Sequence, residues 1–209
     1  MLGKVRHRMS AAATPLRRRI WRGRMHRQVG TSRFAAFGHR SVIVPPAIVV
    51  GPDRIHIGDD VMIHDRAWFS VVQEHYGKRY EPRLVIGDRT VFGRDAYFSC
   101  VGTIEIGSDV LAADRVFITD TYHDYRDVTT PIIRQPMGEP QTVRIGSGAF
   151  LGVGSIILAG VTVGEGAFIG AGAVVASDIP PHSVAVGNPA RVLRHWDAAA
   201  AEWRDGPGG

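Results

Sequence analysis

The chain has 209 residues, 44% of them apolar, and a formal net charge of +5. That suits one domain with extensions, and no apolar stretch approaches the ~18 residues needed to span a bilayer. A single cysteine, Cys100, excludes an intrachain disulfide and fits a reducing compartment, so the chain reads as cytoplasmic.

The charge is unevenly placed. Residues 1–40 hold 11 Lys and Arg and no acid, which leaves 14 against 20 acids in the remainder. This basic N-terminal arm interleaves Leu16, Ile20, Trp21 and Met25 with Arg17, Arg18, Arg19, Arg22, Arg24 and Arg27. The pattern fits a solvated arm or a helix over one end of the domain. It also fits a basic amphipathic segment resting peripherally on an anionic membrane. No nucleic-acid recognition motif stands beside the charge, so no nucleic-acid partner is expected. AAATPL is too short for the apolar core of a secretory signal.

Residues 41–56 read as a lead-in. From there an apolar residue recurs every six positions: Ile57, Ile63 and Phe69; then Ile86, Phe92 and Phe98; then Ile106, Ala112 and Ile118. The segment 75–83 (HYGKRYEPR) is a loop inserted at a corner. After a gap, the beat returns at Ile145, Leu151, Ile157, Val163, Ile169 and Val175 without a slip. It is neither helical nor that of a simple strand. It fits flat coils of three short sides with one residue per side pointing inward, the signature of a parallel β-helix. The glycines after the inward residues (Gly146, Gly152, Gly164, Gly170) are expected to supply the positive φ of tight corners. Ala149, Ser155, Val161, Ala167, Ala173 and Ile179 are expected on the inner wall. Cys100, in the run AYFSCV, is expected to be a wall residue rather than a nucleophile.

The beat stops from Thr119 to Arg144, a polar stretch of 26 residues with three prolines. A long excursion from a regular solenoid points to function. Within it, His123 stands between Tyr122 and Asp124. An imidazole can remove the proton from an attacking alcohol near neutral pH, with Asp120 and Asp124 as candidates to orient the ring. After Asp178, IPP breaks the ladder, and VLRHWDAAAAEWRD (192–205) reads as a short C-terminal helix on its alanine content. The domain plan is therefore arm 1–40, solenoid 41–190 with inserted loop 119–144, and helix and tail 191–209.

The stretches YHDY (122–125), TPI (130–132) and VRIGSGAFLGVGSIILAGVTVGEGAFIGAGAVVASDIPPHSVAVGNPARVLR (143–194) resemble the hexapeptide-repeat acyltransferases. The likeness is to the branch holding galactoside, maltose and xenobiotic acetyltransferases and polysaccharide O-acetyltransferases. It covers 57–194. It implies an all-β fold, a left-handed parallel β-helix, and an acetyl-CoA-dependent O-acetyltransferase acting on a hydroxyl of a sugar or polysaccharide precursor. It also implies a homotrimer in which the pantetheine arm lies between two β-helices, so each active site is shared. His123 matches the catalytic histidine, and Arg191 and Arg194 match positions that meet the CoA phosphates. A tetrahedral oxyanion needs preorganised donors, for which backbone N–H groups at Gly152, Val153 and Gly154 are candidates. Gly170, Ala171 and Gly172 are small enough to let the arm lie close to the wall. Ala176 and Ser177 stand where the family often has Thr-Lys on the CoA side. Phe150 replaces a frequent tryptophan. Ser99 stands near the place of an acceptor-binding asparagine and, with Tyr125, is an acceptor-binding candidate.

Three other functions compete. N-acetylation of an amino sugar would use the same scaffold. A β-helical carbonic-anhydrase-like hydratase needs histidines five residues apart, and none of the nine histidines is so spaced; no metal site is expected. A non-catalytic scaffold would not need the histidine-bearing excursion.

Overall fold

The computed structural model describes residues 30–206 together with Leu16 and Ile20. Most of the basic arm, and with it the proposed membrane contact, lies outside the described residues. Leu16 and Ile20 are helical and exposed.

Apart from three short 3₁₀ turns, the regular secondary structure of residues 30–206 is short strand. Three parallel sheets form the faces of a prism. The first face stacks Ala36–Phe37, Ile55–Ile57, Arg83–Ile86, Thr103–Ile106, Thr142–Ile145 and Thr162–Val163. The second stacks Val42–Ile43, Met62–Ile63, Val91–Phe92, Leu111–Ala112, Phe150–Leu151, Phe168–Ile169 and Ser183–Val186. The third stacks Ile48–Val50, Trp68–Val71, Tyr97–Cys100, Phe117–Thr119, Ile156–Ile157 and Val174–Val175. The chain visits the faces in that order, coil after coil, as a left-handed parallel β-helix.

The register follows the hexad beat. Ile57 pairs with Ile86, Ile86 with Ile106, Ile106 with Ile145 and Ile145 with Val163. All six residues from Ile145 to Val175, and the inner-wall set from Ala149 to Ile179, are at most 3% exposed. Side chains alternate across a strand, so one residue per side enters the core. The interior changes along the axis. Phe69, Phe92 and Phe98 fill the early coils, with Phe98 stacked on Phe69 and edge-on to Phe92, both at 4.9 Å. Ile, Leu and Val fill the later ones.

Four expectations need correction. The solenoid begins at Ala36 rather than 41, because Ala36–Phe37 already pairs with His56–Ile57; residues 41–56 are coil, not lead-in. The excursion is shorter at both ends, because Thr119 still pairs with Ser99, and Thr142 with Thr103. The glycines after the inward residues do not carry the positive φ. Gly154 does, at 68°, two residues beyond Gly152. Gly152 serves close approach instead: a Cβ there would sit 2.6 Å from the Ala171 nitrogen of the next coil.

The fourth correction is the C-terminal helix, which is a β-hairpin. Arg191–Asp197 adds antiparallel to Ser183–Val186 at the open edge of the second face, and Glu202–Asp205 adds to it in turn. The alanine run becomes the turn. Asp197 Oδ1 accepts the N–H groups of Ala199 and Ala200 at 3.0 and 3.1 Å, and Ala201 takes a left-handed φ of 52°. Trp196 and Trp203 sit directly opposite each other, with ring centroids 5.8 Å apart. An unpaired sheet edge and a cross-strand aromatic pair together outweigh alanine's helical preference.

Candidate active site

The excursion leaves the third face at Thr119 and folds back on itself. Tyr122 O accepts from Gly138 N at 2.7 Å, Asp124 N donates to Pro136 O at 3.1 Å, and His123 bridges antiparallel to Met137. The tip is closed by Gln135, which is buried and whose Nε2 donates to Asp127 O (2.8 Å) and Thr130 O (2.6 Å). Asp127 Oδ1 accepts from the N and Oγ1 of Thr129, which holds its carboxyl down at about 2. His123 is therefore exposed yet carried on hydrogen-bonded backbone rather than on a loose loop.

The two ring-orienting candidates do other work. Asp120 is buried, and its carboxylate oxygens accept from Val101 N at 2.9 Å and Gly102 N at 2.8 Å. It fastens the start of the excursion to the preceding coil. Burial pushes its carboxyl up, and the two N–H groups oppose that. Asp124 is held by Arg126, through the backbone N (3.1 Å) and Nε (2.9 Å), and that guanidinium keeps its carboxyl well below the usual range. Both carboxylates are short and one residue or more off the His123 backbone, and each is turned to a nearer donor. Neither contacts the imidazole.

His123 has a neighbour that the sequence reading passed over. The insertion at 75–83 folds as a hairpin, Glu74–His75 with Lys78–Arg79. Its His75 ring lies edge-on to His123, with centroids 5.8 Å apart. The Tyr80 hydroxyl donates to Met137 O at 3.1 Å, and Lys78 Nζ pairs with Glu139 at 2.8 Å. Only the coincidence of two departures from the beat, one two coils before the other, hinted that the insertions meet.

The remaining candidates divide between two edges of the third face. Gly152, Val153, Gly154, Gly170 and Ala171 form the corner where the second face turns into the third. Gly152 N, Gly154 N and Gly170 N already donate to Ile169 O, Asp114 O and Ala185 O at 2.8–2.9 Å. The first two are thus unsuited as oxyanion donors. Val153 and Ala171 are exposed residues, and their N–H groups have no such bond among the described residues. Arg191 continues this edge: it pairs with Val186, whose Cγ1 lies against Gly170, and it is exposed. Arg194 lies further along the hairpin, 3.5 Å from Asp205. Ala176 and Ser177 follow the third-face strand Val174–Val175 and so lie at the opposite edge, the one from which the excursion leaves. Ser99 pairs with Thr119 on the third face, and Tyr125 is exposed on the excursion. One chain thus holds His123 at one edge of the third face and the open N–H row at the other.

Cys100 is fully buried and its thiol is pushed far up by burial, as suits a wall residue. Among the described residues there is no group of three or more His, Cys, Asp or Glu that could hold a metal ion. No described helix is long and apolar enough to cross a membrane.

Residues 142–177 match the family described as bacterial transferase hexapeptide (six repeats). The chain is 36% identical over 143 residues to a Schizosaccharomyces pombe protein assigned as an acetyltransferase, an alignment covering 68% of this chain and 67% of that one. It is 38% identical over 139 residues to a Mycobacterium tuberculosis protein assigned likewise, covering 65% of this chain but only 46% of that relative's length. Among solved structures, a maltose O-acetyltransferase from Clostridium difficile superposes with a TM-score of 0.54 at 28% identity, covering 78% of this chain and 70% of that one. AntD, an N-acyltransferase from Bacillus cereus solved with dTDP and 3-hydroxybutyryl-CoA, superposes at 0.66 with 22% identity, covering 81% and 87%. With its prism of hexad coils, its single long excursion and these relatives, the chain belongs to the hexapeptide-repeat acetyltransferase family.

Proposed function

We propose that this chain is an acetyl-CoA-dependent O-acetyltransferase whose acceptor is a hydroxyl of a sugar or polysaccharide precursor. The observation that carries this reading is the placement of His123: exposed, on braced backbone, beside an open edge. In the reaction, a ring nitrogen of His123 takes the acceptor's hydroxyl proton as the oxygen attacks the thioester carbonyl. The C–O bond forms, the tetrahedral oxyanion collapses, and the C–S bond breaks. The imidazolium returns the proton to the departing CoA thiolate. A positioned base of this kind contributes typically ~10²–10⁴-fold.

The donor side is the Gly152–Gly170 edge. Val153 and Ala171 are exposed residues of that corner, and the small Ala171 side chain leaves room for a pantetheine arm to lie along the wall. The Val153 and Ala171 N–H groups are free to stabilise the oxyanion. Arg191, at the end of that edge, suits the CoA phosphates. Because the two halves of the site lie on opposite edges of one face, the reading requires a second copy. A homotrimer would set the His123 edge of one protomer against the Val153 edge of the next. AntD, which superposes well, is an N-acyltransferase, so transfer to an amino sugar is the second reading.

The test is a thiol-release assay with acetyl-CoA across sugars, amino sugars and small alcohols. His123→Ala should lower kcat at least ~10²-fold on hydroxyl acceptors while leaving CoA affinity and trimer mass intact. Unchanged turnover would remove His123 from the mechanism. A variant that loses hydroxyl but keeps amino acceptors would favour N-acetylation.

A further inference from the structure

His75 stands on a hairpin whose tip, Tyr76–Gly77, turns with φ of 45° and 75°. The hairpin is fastened to the excursion at two points that do not involve either histidine: Lys78 to Glu139 and the Tyr80 hydroxyl to the Met137 carbonyl. Met137 is also the residue bridged to His123. The hairpin and the base are therefore tied to the same short piece of backbone, which fixes their separation.

Between them the two imidazoles meet at a centroid distance of 5.8 Å and an interplanar angle of 63°. On its other side His75 is edge-on to Tyr76 at 4.9 Å. Its Nε2 is enclosed and has no hydrogen-bond partner. A buried nitrogen left in that state is costly, and native folds rarely leave one without a use. The carboxylates that might have oriented His123 are engaged elsewhere: Asp120 by Val101 and Gly102, Asp124 by Arg126. So the base lacks an orienter, and the ring beside it has an unpartnered nitrogen.

Resting on the reading of His123 as the base, we infer that His75 is its positioning residue. His75 Nε2 accepts the N–H of His123, which fixes the tautomer and leaves the other ring nitrogen's lone pair facing the acceptor hydroxyl. The second nitrogen of a working histidine is commonly held this way, and catalytic hydrogen bonds are often long before substrate tightens them. With the centroids 5.8 Å apart, rotation alone brings two ring nitrogens no nearer than about 3.5 Å, so the rings must also close by about half an ångström to reach the ~3 Å of a hydrogen bond. For this, His75 is neutral with its proton on Nδ1.

The charges near the pair are matched among themselves. On the hairpin, Glu74 lies 3.6 Å from Arg79; between hairpin and excursion Lys78 pairs with Glu139; on the excursion Asp124 pairs with Arg126. Tyr76, Tyr80 and Tyr122 supply the nearby phenols.

The test uses the full chain with ¹⁵N-labelled imidazoles and needs no acceptor. In the wild type, His123 should show one dominant tautomer. In His75→Phe, which keeps an aromatic ring but offers no acceptor, His123 should average its tautomers. Kinetics on acetyl-CoA, with the best hydroxyl acceptor of the panel above, gives a second readout. His75→Phe should lower kcat about tenfold or more and leave the KM for acetyl-CoA within about twofold, a fraction of a general base's usual contribution. His75→Gln, whose amide oxygen accepts, should recover part of the loss. The same His123 tautomer balance in wild type and His75→Phe, or an unchanged kcat, overturns the inference. A single dominant His123 tautomer, lost in His75→Phe, in a protein whose His123→Ala variant remains fully active would instead sink the base reading and leave the pair as a structural contact.

Discussion

Replacing Asp120 by alanine removes the acceptor for two N–H groups, those of Val101 and Gly102. Val101 is buried and Gly102 half-buried. An unsatisfied buried donor costs about 1–3 kcal/mol; with the Gly102 group partly open to water, the sum comes to about 2–4 kcal/mol. Asparagine keeps one acceptor oxygen and carries no charge. The Asp120 carboxyl is pushed up chiefly by burial, so the ionised form sits uneasily there, and losing the charge offsets part of the lost bond. Asp120→Asn should therefore cost about 1 kcal/mol, well short of the alanine variant. The raised folded pKa also fixes a sign. The native state holds this proton more tightly than the unfolded chain, so its contribution is fully present below the ordinary aspartate value of about 3.9 and is lost as pH rises through the folded value. Urea unfolding of the wild type and both variants, repeated from pH 4 to 7, reads all three statements. The wild-type advantage over Asp120→Asn should shrink as pH rises across that range. An advantage that grows with pH, or an alanine variant no less stable than asparagine, would refute the account of Asp120 as a buried, ladder-satisfying anchor.

Other perturbations test the wall and the donor edge. Phe98→Ala, at a fully buried ring packed on Phe69 and Phe92, should destabilise by about 3–5 kcal/mol in the same unfolding assay. Ala171→Trp, at an exposed corner, should raise the KM for acetyl-CoA about tenfold or more through steric exclusion, while the Tm moves by only about 2 °C or less; unaltered donor kinetics would place the donor groove elsewhere. The Arg126 amide, hydrogen-bonded to Asp124, should report a titration midpoint below the usual ~3.9 by NMR. Because that carboxyl is depressed in the fold, its hold on the excursion is present above the ordinary value and lost as pH falls through the lower one.

Periodicity made the solenoid legible because the core selects one residue in six. The positions on the beat from Ile57 to Ile118 and from Ile145 to Val175 follow from that selection; Leu84, Ile104 and Val143, equally buried, stand two residues before it. The terminal hairpin was not legible, since alanine's preference is local while the open edge beside Ser183–Val186 is tertiary. Gly152 and Gly154 show a subtler limit. Sequence marks glycine at both, but only coordinates separate the one that lets two backbones approach from the one with a positive φ. His75 was hidden for a related reason: it sits in an insertion, where the beat assigns no face, and it meets His123 only because two insertions from different coils leave the wall together.

The edges of the prism, by contrast, follow from counting. Each coil is 18 residues in the unbroken region, so Val153 and Ala171 must share an edge, as they do. Ser177 stands six residues beyond Ala171 and must therefore lie one edge further on. His123 follows the strand Phe117–Thr119 just as Ser177 follows Val174–Val175, and that places both at the same edge. Grouping Ala176 and Ser177 with Gly152 as one donor-binding set on a single chain is thus incompatible with the hexad arithmetic. The set closes only if the His123 edge of one protomer faces the Val153 edge of another: Ala176 and Ser177 then lie across the groove from Ala171. A bulky residue at Ser177 should accordingly impair the donor only in the assembled protein. Mixed oligomers of His123→Ala and Ala171→Trp chains should recover activity at those interfaces where an intact His123 meets an intact Ala171. If mixing restores nothing while both chains co-assemble, each site is built within one protomer, and the edge-to-edge argument fails.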